Sequence, residues 1–185
     1  MPESAIAPHH TWVFGYGSLM WDGWERAFDC RLRSVATLPG YQRTFNKPSV
    51  VRWGTKSAPC PTLNVRSDAL ASCTGMAFAF APDRRDEIIE ALRRREGKGF
   101  EIRQVAVRIA DGTEVEAFAP FYGGSDVLDG VSADEKKRMI HAARGSAGAG
   151  IDYVRGIAAQ LEELGIDDAT VRDLWAALSR QTGGH

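Results

Sequence analysis

The feature that most constrains this sequence is a change of hydrophobic period partway along it. Up to Phe118 the apolar residues mostly come in short, strand-length runs broken by Pro, Gly, Asn and Asp, while from Ser132 onward they recur every three or four residues. Alternation with period two lines one face of a strand, and a 3.6-residue period lines one face of a helix, so the two stretches require different elements. Strands followed by helices predict an α+β domain, its small mixed or antiparallel sheet packed against helices.

Trp12-Val13-Phe14-Gly15-Tyr16 predicts a buried first strand, and Pro39-Gly40 punctuates two more, Leu32–Leu38 and Tyr41–Phe45. Residues 47–61 carry three prolines and little period, and read as an irregular loop. Cys73–Phe80 predicts a strand, after which Asp83 is placed to cap a helix that holds Ile88, Ile89 and Leu92 and stops near Gly97. Ile102–Ile109 and Thr113–Phe118 flank Ala110-Asp111-Gly112, a hairpin signature. Ser132 with Glu135 forms a capping box, residues 145–150 are a glycine-rich break, and two helical stripes follow, Ile151 to Leu164 and Val171 to Leu178. These stripes predict packing faces and hold no cofactor box. The expected organisation is one domain over 12–180 with flexible ends at 1–11 and 181–185.

Composition excludes several function classes. With 23 Lys and Arg against 24 Asp and Glu, the net charge is −1, unlike the strongly basic balance of a general nucleic-acid binder. No apolar run approaches the ~18 residues of a membrane-spanning helix. Met1 to Thr11 lacks a basic segment leading into an apolar one, so no secretory signal is read and a cytoplasmic protein is expected. Cys30, Cys60 and Cys73 form no CxxC pair and read as reduced, structural thiols. His9, His10, His141 and His185 show no metal-ligand spacing, and only His141 falls in a folded stretch, as a solvated helix position.

Two segments stand out. In Phe14-Gly15-Tyr16-Gly17-Ser18-Leu19-Met20, glycines close a strand, so the backbone can approach a ligand and its N–H groups can face an anion. Met20 stands where a dinucleotide fingerprint needs its third glycine, no Gly-Lys-Ser/Thr makes a phosphate loop, and Ser18 is not in a Gly-x-Ser-x-Gly elbow. The second segment is Arg93-Arg94-Arg95-Glu96-Gly97. Its arginines suit a helix C-terminus, but a carboxylate there meets the wrong end of the helix dipole, so Glu96 is placed against local preference.

Val13 to Trp21 closely resembles the opening of the ChaC-type γ-glutamylcyclotransferases: an apolar pair, Gly-Tyr-Gly-Ser-Leu, an apolar residue, then Trp. Three further stretches follow in family order: Pro39–Phe45, Leu92–Phe100 around Arg95-Glu96, and Gly145–Tyr153. The resemblance implies a small barrel-like mixed sheet with helices, and cleavage of glutathione into 5-oxoproline and Cys-Gly. Carried over by position, it implies Glu96 as the catalytic carboxylate, Tyr16, Gly17, Ser18 and Leu19 as the loop around the γ-glutamyl end, and Tyr153 as a pocket-lining residue. No cofactor or metal is implied; the partner is a small-molecule substrate, with neither nucleic acid nor membrane insertion.

The chain departs from the family pattern at Arg52-Trp53-Gly54-Thr55, where relatives carry Arg-Gly-Thr, and at Ala147 and Gly150, where they carry Ser and Asn. Two alternatives therefore accompany the glutathione reading. One keeps the chemistry on γ-glutamyl amines or γ-glutamyl amino acids. The other is a non-catalytic regulator of a cation transporter, a label that ChaC-type sequences have carried.

Overall fold

The computed structural model describes residues 9–182, with side chains to 180. Residues 1–8 and 183–185, which include His185 and most of both expected flexible ends, lie outside the described residues. Thr11 is the buried first residue of strand β1, Thr11–Gly15. Four more long strands follow: β2 (Leu32–Ser49), β3 (Cys60–Phe80), β4 (Phe100–Ile109) and β5 (Glu114–Tyr122). They close a barrel in the order β1-β3-β2-β4-β5. Neighbours are antiparallel except β1 and β5, which run parallel and complete the closure. The expected mixed, barrel-like sheet is therefore present.

Alternation along each strand divides the apolar residues into two cores. Trp12, Phe14, Leu38, Val107 and Phe121, with the small residues Ala36, Ala77, Ala79, Ala117 and Ala119, fill the narrow interior. Val13, Met76, Phe78 and Phe80 point outward, against Ile88 and Leu92 of α1 (Arg85–Glu96), Ile140 of α2 (Ala133–Ala142), Val154 and Ile157 of α3 (Gly150–Glu163) and Leu178 of α4 (Ala169–Thr182). The sequence stripes are thus packing faces. His141 is exposed on α2, and the three cysteines are free, with burial pushing the thiols of Cys60 and Cys73 up to about 12 and about 11.

The structure corrects three local expectations. Pro39-Gly40 does not separate two strands: β2 continues through it, with Leu38 opposite Cys73, Tyr41 opposite Ser67 and a register shift between. Gly40, at φ +78, supplies the left-handed residue of that bulge, and Ser67–Ser72 bows out opposite it. The stretch 47–61 is not all loop, because Lys47–Ser49 pairs with Cys60–Thr62 and the prolines Pro48 and Pro61 face each other near the strand ends. Asp83 caps nothing. Pro82–Arg84 forms a 3₁₀ turn instead, and α1 starts at Arg85 with Asp86 and Glu87 supplying negative charge to its first turn. Ser132 does accept the Glu135 N–H at 3.2 Å, but the Glu135 carboxylate turns to Arg138, so the capping box is half formed. Among the described residues no helix is long and apolar enough to cross a membrane.

Candidate active site

A cleft of about 440 Å³ opens at the barrel end where the parallel strands β1 and β5 both finish. All six residues singled out from the sequence, Tyr16, Gly17, Ser18, Leu19, Glu96 and Tyr153, line it. They arrive on three different elements. β1 ends at Gly15 and passes into a 3₁₀ turn, Ser18–Met20, whose own bonds occupy the N–H groups of Met20, Trp21 and Asp22. The N–H groups of Gly17, Ser18 and Leu19 precede that ladder and have no place in it. Glu96 is the last residue of α1, which stops because Gly97 takes φ +78. Tyr153 sits in the first turn of α3, where its hydroxyl accepts the Leu63 N–H at 2.9 Å and its ring meets Trp53 and Phe45.

Glu96 is largely withdrawn from water, with its side chain 18% exposed. Burial raises its pKa above the ordinary glutamate value, against the opposing pull of the Arg95 and Lys47 cations. The Tyr16 ring belongs to the barrel core, and its hydroxyl donates to the Pro120 carbonyl at 2.7 Å. Burial, with the neighbouring Glu96 carboxylate, pushes that phenol far up, so Tyr16 is a neutral hydrogen-bonding group near a carboxyl whose own pKa burial raises.

Several residues at the site carried no clear signal in the sequence. Arg95 looked like one more solvated cation of a helix end. In the fold it donates to Ser18 Oγ at 2.9 Å, pairs with Asp22, and lies with Nε 3.4 Å from Glu96 Oε1, so it straps the acid to the glycine loop. Arg43, quoted in the Pro39–Phe45 stretch without a role, is fully buried beneath the loop. Its Nε donates to the Tyr16 carbonyl at 2.9 Å and its Nη1 pairs with Asp168, at the start of α4, at 2.9 Å. Arg43 thereby anchors, from beneath, the peptide that leads into the glycine loop. Lys47 and Asp126 also line the cleft, and neither showed any pattern in the sequence.

Of the departures from the family pattern, Arg52 and Trp53 lie in the cleft wall, whereas Ala147 and Gly150 are absent from its lining. Ala147 instead backs that wall, its N–H donating to the Arg52 carbonyl at 2.7 Å. Among the described residues no three His, Cys, Asp or Glu side chains converge as a metal-ligand set.

The family model for ChaC-like protein matches residues 11–181. Among curated proteins, the chain is 26% identical over 175 residues to "Gamma-glutamylcyclotransferase 2-3" of Arabidopsis thaliana, covering 88% of this chain and 85% of that one. It is 26% identical over 179 residues to the "Glutathione-specific gamma-glutamylcyclotransferase" of Escherichia coli K12, covering 92% and 73%. Among solved structures, a glutathione-specific γ-glutamyl cyclotransferase from yeast superposes with a TM-score of 0.78 at 17% identity, over 92% of this chain and 96% of that one. That likeness establishes the fold.

Proposed function

The chain belongs to the ChaC-like protein family and is a γ-glutamylcyclotransferase, and from that premise we propose that it converts glutathione to 5-oxoproline and Cys-Gly with Glu96 as general acid and base. The observation that carries this reading is the placement of a water-poor carboxylate, Glu96, in the same cleft as the Tyr16–Leu19 loop. The names of the Escherichia coli and yeast relatives support glutathione as the substrate.

The reaction suits such a site. The substrate's α-amine attacks its own γ-carbonyl carbon, forming the lactam C–N bond, while the bond from that carbon to the cysteinyl nitrogen breaks. Nucleophile and electrophile are tethered, and well-oriented intramolecular attack reaches effective molarities of about 10⁵–10⁸ M, so the protein's task is to fold the substrate and move a proton. An α-ammonium titrates near ~8, so freeing the amine at pH 7 costs on the order of 1 kcal/mol. Glu96 accepts the proton that the attacking nitrogen loses and delivers it to the departing nitrogen, so one carboxylate serves both halves. Its raised pKa improves it as the acid for the second transfer. The N–H groups at Gly17, Ser18 and Leu19 stabilise negative charge on the substrate, either its carboxylate or the oxyanion of the attacked carbonyl.

Purified protein incubated with glutathione releases 5-oxoproline on this reading, and a wild type that releases none ends it. Trp53, set in the cleft wall where the family pattern differs, favours one second reading: the same chemistry on another γ-glutamyl compound. A panel of γ-glutamyl amines and γ-glutamyl amino acids, assayed for the same product, decides between them.

A further inference from the structure

Among the described residues, the cleft holds a half-buried cation that forms no direct ion pair. Lys47 follows a register shift near the end of β2 and is half-buried, with its ammonium 5.7 Å from the centroid of the Phe100 ring and 5.9 Å from that of Tyr122. Among the described residues it forms no ion pair and its ammonium donates no hydrogen bond to oxygen. The carboxylates nearest to it have closer partners, Glu96 with Arg95 and Asp126 with the Tyr122 hydroxyl, and act on Lys47 only through space. Two ring faces hold the ammonium in place by cation–π attraction, but they leave its N–H donors unfilled.

A charge drawn out of water with no group hydrogen-bonded to it is unfavourable, and half-buried cations normally have a direct partner. Burial accordingly pulls the Lys47 pKa down, although Glu96 and Asp126 at longer range pull it up. Arg52 and Lys98 also line the cleft, but both are exposed, so water solvates them and neither requires a partner. Lys47 is therefore the half-buried lysine of the cleft that, among the described residues, has no direct partner for its N–H donors.

We propose that Lys47 is a carboxylate-binding residue of the cleft, pairing with a carboxylate that the substrate brings. The proposal rests on the γ-glutamyl reading above, which supplies anions of one chemistry from two places. The α-carboxylate is present on every γ-glutamyl substrate. A second, at the far end of the leaving half, is present on glutathione and absent from γ-glutamyl amines.

The experiment compares wild type, Lys47→Met, Lys47→Gln and Lys47→Arg on glutathione and on glutathione amidated at its C-terminal carboxyl, with thermal melts to check folding. Methionine keeps an apolar stem between the rings, glutamine is the second neutral variant, and arginine restores the charge. The neutral variants are expected to raise KM for glutathione about tenfold or more, most of the loss falling on KM rather than kcat, with arginine recovering much of it. An equal rise for both substrates assigns Lys47 to the α-carboxylate, and a rise for glutathione alone assigns it to the leaving half. Unchanged KM for both substrates overturns the proposal. Calorimetric binding of glutathione to Glu96→Gln, with and without Lys47→Met, requires no turnover. A tenfold loss there sustains the Lys47 assignment even if the wild type releases no 5-oxoproline, and normal 5-oxoproline release with no Lys47 effect rejects it while leaving the reaction intact. Absence of glutathione binding to the otherwise unmutated Glu96→Gln protein rejects it too.

Discussion

Glu96 occupies a position that folding by itself disfavours: it ends a helix, where the dipole repels it, and it is shielded from water, which penalises its charge. A carboxyl whose pKa is raised on folding subtracts from stability when ionised. That penalty is absent well below the unfolded value and grows as pH rises through the folded one. Glu96→Gln is therefore expected to raise Tm at pH 7, with the difference from wild type vanishing near pH 3. The same substitution should lower kcat by about 10²–10⁴-fold, the usual worth of a general acid or base. Thermal melts across pH, set beside 5-oxoproline release, test both halves, and a fully active Glu96→Gln would reject the assigned role. Arg95 works in the opposite direction, holding the Glu96 pKa down from 3.4 Å. In Arg95→Gln the acidic limb of the kcat/KM profile should move to higher pH, since Glu96 would then stay protonated further up the scale. An unmoved limb would reduce Arg95 to a structural strap. Glu96 was legible because it breaks a local rule; Arg95 was not, because a cation at a helix C-terminus obeys one.

At the scale of elements, the site is a set of chain ends brought to one rim of the barrel. β1 supplies the glycine loop, α1 its last residue, and α3 its first turn. The change of period and the glycines in the sequence anticipated most of these elements. The long β2–β3 pair was harder to see: its bulge carries Pro-Gly, which reads as a turn, and its far end carries prolines, which read as a loop. Prolines are tolerated there because they sit opposite each other near the strand ends, a pairing that no local window reveals. The Gly150 departure has a packing explanation. A Cβ at that position would stand 2.5 Å from the Ile140 carbonyl oxygen and 2.9 Å from Cys60 Sγ. Gly150→Asn should thus cost about 1–3 kcal/mol by overpacking, read as a lower urea midpoint. Unchanged stability would show that the α2–α3 junction yields freely.

For the whole molecule, closure of the barrel places Arg43 at the junction of its parts. It connects the Tyr16 carbonyl on one side with Asp168, and so with α4, on the other. Its side chain has no exposure and that of Asp168 only 12%, so loss of one partner strands the other. Arg43→Met is expected to cost about 3–5 kcal/mol and to reduce turnover as the glycine loop loses its anchor. Urea unfolding of the two single variants and of Arg43→Met/Asp168→Asn measures the coupling, and additive effects would show that the pair acts independently.

The sequence by itself determined the class of fold, the two packing faces and the two unusual segments, because hydrophobic period, glycine and a misplaced acid act within a few residues of themselves. Only the tertiary structure decided that those segments share a cleft, that Arg95 and Arg43 hold them there, and that Lys47 stands within it with no ion pair among the described residues. These are relations between residues tens of positions apart, created when β5 pairs with β1 and closes the barrel, and no local pattern encodes them.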